Sequence, residues 1–327
     1  MGVITLLARR VASVVRKDKK TLAEWNKECV AQKQQDGCYG MAQKYQSTCA
    51  KLGKYLSTTS KPCLKVEEVD NEFIEGFTEF LKSEDLSENT IRFYLRNFSA
   101  MYHLKEKDYT DNPFSHVNMR ACPTRKRALD KHTMQRIKDF DCEGKDSLAF
   151  ARDLFMFSFY TQGMPFVDIA CLKASNMENG TIRYKRHKTG QPVTVTLVPE
   201  AMEIIRHYSK INKSVDDNKS GKDKVKDYYI FGIIKSTDST IAYQQYRNGL
   251  ANQNRRLKKI GDKLGLDMPL TTYIARHTWA TLAQNSGVPT AVISRSLGHT
   301  SETTTRIYLG SMDTKVLAKY NRLTTRL

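Results

Sequence analysis

Three short stretches in the last third of the chain carry residue types suited to work on a phosphodiester. Tyr273-Ile274-Ala275-Arg276-His277-Thr278-Trp279-Ala280-Thr281 comes first, and Ser296-Leu297-Gly298-His299 follows. Nine residues beyond His299, the run Thr303-Thr304-Thr305-Arg306-Ile307-Tyr308 ends in a tyrosine. Breaking a phosphodiester requires a nucleophile, donors for the charge that grows on the nonbridging oxygens, and a proton for the departing oxygen. Arg276 offers a planar fork that matches two phosphate oxygens. His299 can donate another hydrogen bond to the phosphate, and Tyr308 brings a hydroxyl. Each type also has an ordinary structural use. Tyr308 can be a core aromatic, His299 a helix-terminus histidine, and Arg276 with His277 a surface basic pair.

In this order and spacing, the three stretches resemble the tyrosine recombinase, or phage integrase, family. Its pattern is a buried R-H-x-x-A-T helix, an L-G-H turn and a nucleophilic tyrosine at this distance. The resemblance implies an enzyme that breaks and rejoins DNA, with Tyr308 forming a 3′-phosphotyrosine. Such an intermediate keeps the bond energy, so no ATP, metal or other cofactor is implied. Lys188 stands in the turn His187-Lys188-Thr189-Gly190-Gln191, as the family's catalytic lysine does, and would protonate the leaving 5′ oxygen. A solvated basic hairpin, with Lys185, Arg186 and His187 as neighbours, is the ordinary alternative. Asp168 matches the acidic residue that orients neighbouring groups. His277 is expected to bond across the floor of the site.

Two positions depart from the family pattern. Its first arginine lies in a G-[LM]-R-x-x-[DE] turn, and Gly163-Met164-Pro165-Phe166-Val167-Asp168 places Pro165 there. Proline donates no hydrogen bond, and losing one such donor typically costs about 3 kcal/mol of transition-state stabilisation. Gln162, Arg152 and Arg186 are the candidates to replace it. Tyr273 stands where a histidine is usual, three residues before Arg276, and its hydroxyl can still donate to a phosphate oxygen. The resemblance further implies a two-domain C-shaped clamp on duplex DNA. Four protomers would assemble on two recombination sites and exchange strands through a Holliday junction, with accessory DNA-bending proteins as optional partners. Three other readings stay open: a type IB topoisomerase, a DNA-binding factor derived from a recombinase that has lost catalysis, and an unrelated basic RNA-binding protein, which would leave the ordered motif set unexplained.

The bulk composition agrees with a nucleic-acid partner. Among 327 residues, 53 Lys and Arg face 35 Asp and Glu, a formal charge of +18. An excess of this size calls for a polyanion, either nucleic acid or a membrane surface. No stretch reaches the roughly 18–20 apolar residues that span a bilayer. The seven cysteines are scattered, and none are spaced as C-x-x-C, which argues against a disulfide framework and against a zinc site. The expected setting is the cytoplasm, in association with the nucleoid.

The elements that must position these residues are mainly helical, with one small β-hairpin sheet. Residues 1–20 form a basic leader. That is too short for the arm-binding domain of some integrases, which favours a simple-site enzyme such as an invertase or resolving enzyme. Residues 21–111 read as a helical core-binding bundle. Its helices are expected from Thr21 (a capping box with Glu24), over 41–56, over 66–81 and over 89–104 with Ser87 as cap. Ile91, Leu95, Phe98 and Tyr102 share the inner face of the fourth helix, with Thr90, Arg92, Arg96 and Asn97 on the other. Lys44, Thr90, Arg92 and Arg96 are expected to face DNA. Residues 112–130 read as a basic linker laying Arg120, Arg125, Lys126 and Arg127 along the DNA backbone. A catalytic domain over 131–327 follows. Helices are expected near 131–140, 147–161 and 166–172, strands over 181–184 and 193–197, and helices again over 199–208 and 241–264. Between the last two lies a polar loop at 212–226. The tail 315–327, with Val316, Leu317, Tyr320 and Leu323, has a spacing that suits a helix docking on a neighbouring protomer and equally one packing in cis.

Overall fold

The computed structural model of the protein describes residues 20–105, 112–122, 127–217, 227–308 and 322, with the side chains of 211–217 and 307–308 not described. The leader, Arg125, Lys126 and the tail apart from Arg322 therefore lie outside the described residues. The chain divides into two compact units between Thr124 and Arg125.

Among the described residues, the first unit holds four α-helices: α1 (Leu22–Gln35), α2 (Tyr39–Thr58), α3 (Asn71–Ser83) and α4 (Glu88–Lys105). Thr21 caps α1 by accepting from the Glu24 backbone N–H, while the Glu24 carboxylate accepts from the Thr21 N–H. Both orphan donors are thus satisfied, as the sequence predicts. The third helix starts later than its apolar spacing suggests. Val66–Glu68 is a single 3-10 turn, and Asp70, in extended backbone, caps α3 by accepting from the Phe73 N–H at 2.8 Å. Leu22, Leu52, Ile74, Phe77, Leu81, Leu95, Phe98 and Met101 form the core.

Two expectations for this unit are corrected. Asn97 is buried rather than outward, and its amide donates to the Phe93 carbonyl one turn back. The first half of the expected linker packs onto α4. Phe114 is buried against Phe98 and Tyr102, at ring separations of 5.3 and 5.7 Å. Its apolar residues escape a periodicity search because the segment forms turns, not a helix.

The second unit begins with α5 (Lys131–Lys138), α6 (Asp146–Tyr160) and the short α7 (Phe166–Ala170). A three-stranded antiparallel sheet follows: β1 (Met177–Glu178), β2 (Thr181–Lys185) and β3 (Pro192–Thr196). The β2–β3 register pairs Thr181 with Thr196 and Lys185 with Pro192. The two-residue β1 is too short to leave a pattern in the sequence. Five further helices follow among the described residues: α8 (Pro199–Asp217), α9 (Ser239–Lys263), α10 (Thr272–Asn285), α11 (Thr290–Ser296) and α12 (Glu302–Tyr308). Helix α8 runs through 212–217, where a loop is expected; residues 218–226 lie outside the described residues.

Helix α6 is the axle of this unit, apolar on nearly every side. Leu154 and Phe157 pack toward Ile182, Val193 and Val195 of the sheet. Ala151 and Phe155 pack instead with Leu257, Ile260, Ile274 and Ala275 of α9 and α10. The sheet and α10 are thereby fixed on one support. Among the described residues, no helix is long and apolar enough to cross a membrane.

Candidate active site

Arg276 sits in the second turn of α10 and is 2% exposed. Burying a guanidinium is costly unless its donors are matched. Here one terminal nitrogen donates to the Gly163 carbonyl at 2.8 Å and the other to the Leu297 carbonyl at 2.6 Å. The second nitrogen also lies 3.0 Å from Nε2 of His299. Gly163 has to be glycine. Its φ is +73°, and an added Cβ would lie 2.8 Å from the Arg276 Cα. The turn after α6 therefore presses its backbone directly onto the arginine.

Arg186 enters from the end of β2. It is 7% exposed and donates from one terminal nitrogen to the same Leu297 carbonyl, at 2.8 Å. Two buried guanidinium groups thus converge on one oxygen. Between like charges this is stable only where anionic charge or carbonyl dipoles compensate. Asp168 of α7 supplies some of that charge. Its carboxylate accepts from the His187 backbone N–H at 2.9 Å, and the fields of Arg186 and Arg276 reach it. Burial nevertheless holds the Asp168 carboxyl above its ordinary pKa.

Lys188 is exposed in the β2–β3 turn. The turn is held at two points: by the Asp168 bond to His187, and by the Thr189 hydroxyl, which donates to the Gly298 carbonyl at 3.2 Å. Gly298, at φ +63°, is the second position that demands glycine. An added Cβ would meet Arg186 Cδ and Val193 Cγ2 at 2.9 Å each. The L-G-H turn is therefore shaped by the hairpin seated against it.

His299 is half-buried at the end of this turn, with Nδ1 at 2.8 Å from the Thr305 hydroxyl. Burial, and then the charges of Arg276, Arg186 and Lys188, push its pKa down to about 4. The ring is neutral at pH 7 and carries a single N–H, on Nδ1 or on Nε2 according to its tautomer. Thr305 is fully buried on α12, three residues before Tyr308. The backbone of Tyr308 ends α12, while its side chain lies outside the described residues.

The other expected residues divide clearly. Arg152 belongs to a separate network, with bonds to the Phe140 carbonyl and to Asp153, which also accepts from the Tyr208 hydroxyl. From Arg152 to the end of α6 is about 12 Å of helix rise, so its guanidinium is spent away from Gly163. Gln162 adjoins Gly163 in left-handed backbone at φ +61°, and its buried side-chain oxygen has no hydrogen-bond partner. Tyr273 is 49% exposed in the first turn of α10, its ring edge-on to His277 at 4.8 Å.

In the first unit, Lys44 is exposed and Thr90 half-buried. Arg92 and Arg96 are less free than expected. They donate to the Arg120 and Met119 carbonyls and so pin the 112–122 segment to α4. Arg120 and Arg127 are exposed in the first and second units respectively. Sequence reasoning missed Thr305 and the Leu297 carbonyl. A hydroxyl six residues after His299 was visible; a backbone oxygen gathering two arginines carries no sequence signal.

Comparison with known proteins places this geometry. Residues 21–119 match the phage integrase SAM-like domain. The tyrosine recombinase XerA of Saccharolobus solfataricus is 29% identical over 137 residues, covering 42% of this chain and 37% of that protein. XerD of Corynebacterium glutamicum is 29% identical over 119 residues, covering 35% of this chain and 39% of that one. The matched stretches thus span well under two thirds of these relatives. Among solved structures, the Tn1549 transposon integrase in complex with a circular intermediate DNA superposes with a TM-score of 0.64 at 15% identity, covering 93% of this chain and 99% of that one. A lambda integrase dimer bound to a COC′ core site gives 0.57 at 15% identity, covering 92% and 80%. These likenesses establish a shared fold. Residues 127–315, more than half of the chain, match the phage integrase family model, and the chain belongs to that family.

Proposed function

We propose that the protein is a site-specific tyrosine recombinase that cuts and rejoins duplex DNA through a covalent bond to Tyr308. The observation that carries this reading is the convergence of Arg276, Arg186 and His299 at the Leu297–His299 turn, whose last residue lies nine before Tyr308. In the reaction, the Tyr308 hydroxyl gives up its proton to water as its oxygen bonds to phosphorus, the bond to the 5′ oxygen breaks, and Lys188 protonates that oxygen. The free 5′ hydroxyl of a partner strand then attacks the phosphotyrosine and releases Tyr308. Arg276 and Arg186 leave the Leu297 carbonyl for the nonbridging oxygens, where pre-placed donors are worth most.

Arg186 takes the role of the family's first arginine, which Pro165 cannot fill. Its burial at the site supports this assignment over Gln162, which lacks charge, and over Arg152, which is committed elsewhere. The Tyr273 hydroxyl adds a neutral donor, and Asp168 holds the lysine turn. Both units bind DNA, with Lys44, Arg120, Arg125, Lys126 and Arg127 among the phosphate contacts. The active assembly is a tetramer on two sites, with DNA-bending proteins where the site requires them, and it works on cytoplasmic, nucleoid DNA.

The test begins with selection of a site from random duplexes by the Tyr308→Phe protein. That site is then built into a nicked suicide substrate. The reading expects a denaturation-resistant adduct from the native protein and none from Tyr308→Phe. Tight site binding without any adduct would instead support the non-catalytic DNA-binding factor.

A further inference from the structure

A cleft of about 460 Å³ in the second unit runs along α9, with the 232–235 segment and residues of α6 and α7 as its other walls. Two cations line it, Lys235 and Arg256, and no carboxylate does among the described residues. The side chains of Lys235 and Arg256 make no ion pair among those residues either. The Lys235 and Ser236 backbone N–H groups donate to the side-chain oxygen of Gln245, at 2.7 and 3.3 Å. That bond ties the 235 end of the cleft to Gln245 and leaves the Gln245 amide nitrogen as a donor. Asn252 likewise uses its oxygen to accept from Arg255 at 2.8 Å. From Gln245 to Arg256 is roughly 16 Å of helix rise, so the cations stand at opposite ends of a row of amide donors. The cleft adjoins the catalytic elements. Phe166, which follows Pro165, lines it together with the half-buried Phe150. Asn254, two residues before Arg256, accepts from the Thr272 N–H at the start of α10, at 2.9 Å.

We propose that this cleft is a groove for single-stranded DNA, which holds the 5′-ended strand freed by cleavage until it is exchanged. The role in exchange rests on the recombinase reading; the binding itself does not. A volume in the range of a small-ligand pocket admits part of one strand and excludes a duplex. Cations and amide donors without an opposing anion suit a phosphate chain, and aromatic rings beside them suit unstacked bases. An acidic peptide would meet the same cations, yet the phenyl rings of Phe150 and Phe166 beside the donors favour a nucleotide chain. Lys235 and Arg256 hold the backbone at the two ends, and Gln245, Asn248 and Asn252 bond to phosphates or base edges between them. Because Phe166 and Asn254 connect the cleft to α7 and α10, a strand seated there stays beside the elements that cut it.

Two double variants of the full chain carry the test. Lys235→Glu with Arg256→Glu reverses the cations of the cleft. Lys258→Glu with Lys259→Glu makes the same charge change at exposed positions of α9 outside it. Glutamine at the same positions serves where glutamate unfolds the chain, with the same order of affinities expected. The probe is a dye-labelled single-stranded DNA of mixed sequence, about 8 nucleotides long, read by fluorescence anisotropy. The cleft variant is expected to bind it about tenfold more weakly than the other variant. Equal affinities in the two variants overturn the proposal. So does an oligoglutamate of equal charge that displaces the probe as well as unlabelled DNA does, which would make the cleft a seat for acidic peptides. The second readout uses the suicide substrate at saturating protein. Both variants are expected to form the Tyr308 adduct at the wild-type rate, with its transfer to a single-stranded 5′-hydroxyl acceptor about tenfold slower in the cleft variant. Equal transfer rates overturn the role in exchange. Absence of any adduct from the native protein fails the recombinase reading alone, since the anisotropy needs no cleavage.

Discussion

At Leu297, one carbonyl oxygen receives two guanidinium groups, and this contact supports the proposal of Arg186 over Gln162 and Arg152 in place of the missing arginine. Replacing Arg186 with alanine is expected to slow single-turnover cleavage about 10²–10³-fold, the usual cost of one preorganised donor. Lysine restores little, because a point charge does not reproduce the fork. Arg152→Ala leaves the cleavage rate unchanged and lowers the melting temperature. Equal cleavage by Arg186→Ala and the wild type would remove Arg186 from the mechanism. The depressed His299 pKa, about 4 against an ordinary 6.5, has a stability consequence. Between those values the unfolded chain binds more protons than the folded one, so stability rises with pH across the window and falls as pH drops through it. His299→Gln should flatten part of the rise in unfolding midpoint between pH 4 and 6.5. An unchanged slope would contradict the assigned shift. Arg276, His299 and Lys188 were legible because each stands in a local motif. Thr305 and Arg186 needed the fold, since their partners lie on other elements or on the backbone.

At the level of elements, the site is a seam where the α6–α7 turn, the β2–β3 hairpin and the L-G-H turn meet around α10. Two glycines allow that approach. Gly298→Ala introduces a Cβ at 2.9 Å from both Arg186 and Val193, in left-handed backbone. It should destabilise the protein by about 1–3 kcal/mol and reduce cleavage by displacing Arg186. Calorimetry together with the cleavage rate checks both; a variant with wild-type stability and rate would mean that the hairpin does not press on this turn. The paired strands and the caps of α1 and α4 were readable from alternation and from Thr21, Glu24 and Ser87. The start of α3 was not, because Val66 and Val69 continue an apolar spacing that Asp70 interrupts by capping. Phe114 was missed for the opposite reason. It is a core residue in a segment without period, next to prolines and basic residues that resemble a linker.

For the whole molecule, the charge of +18 predicts DNA affinity governed by counterion release, with log K falling steeply as log salt rises. Lys44→Ala, removing an exposed cation, should reduce the magnitude of that slope by about 1 while leaving sequence preference intact. An unaltered slope would take Lys44 off the DNA. The division into a SAM-like helical unit and a catalytic unit was legible from the change in pattern near residues 112–130. What composition could not supply is the chemistry, which resides in a few buried polar contacts. The most direct measurement of that chemistry is to trap the adduct on a suicide substrate, digest the DNA and protein, and locate the nucleotide-bearing residue by mass spectrometry. The account predicts a 3′-phosphodiester on Tyr308. An adduct on any other residue, or a protein that binds its selected site and never forms one, would contradict it.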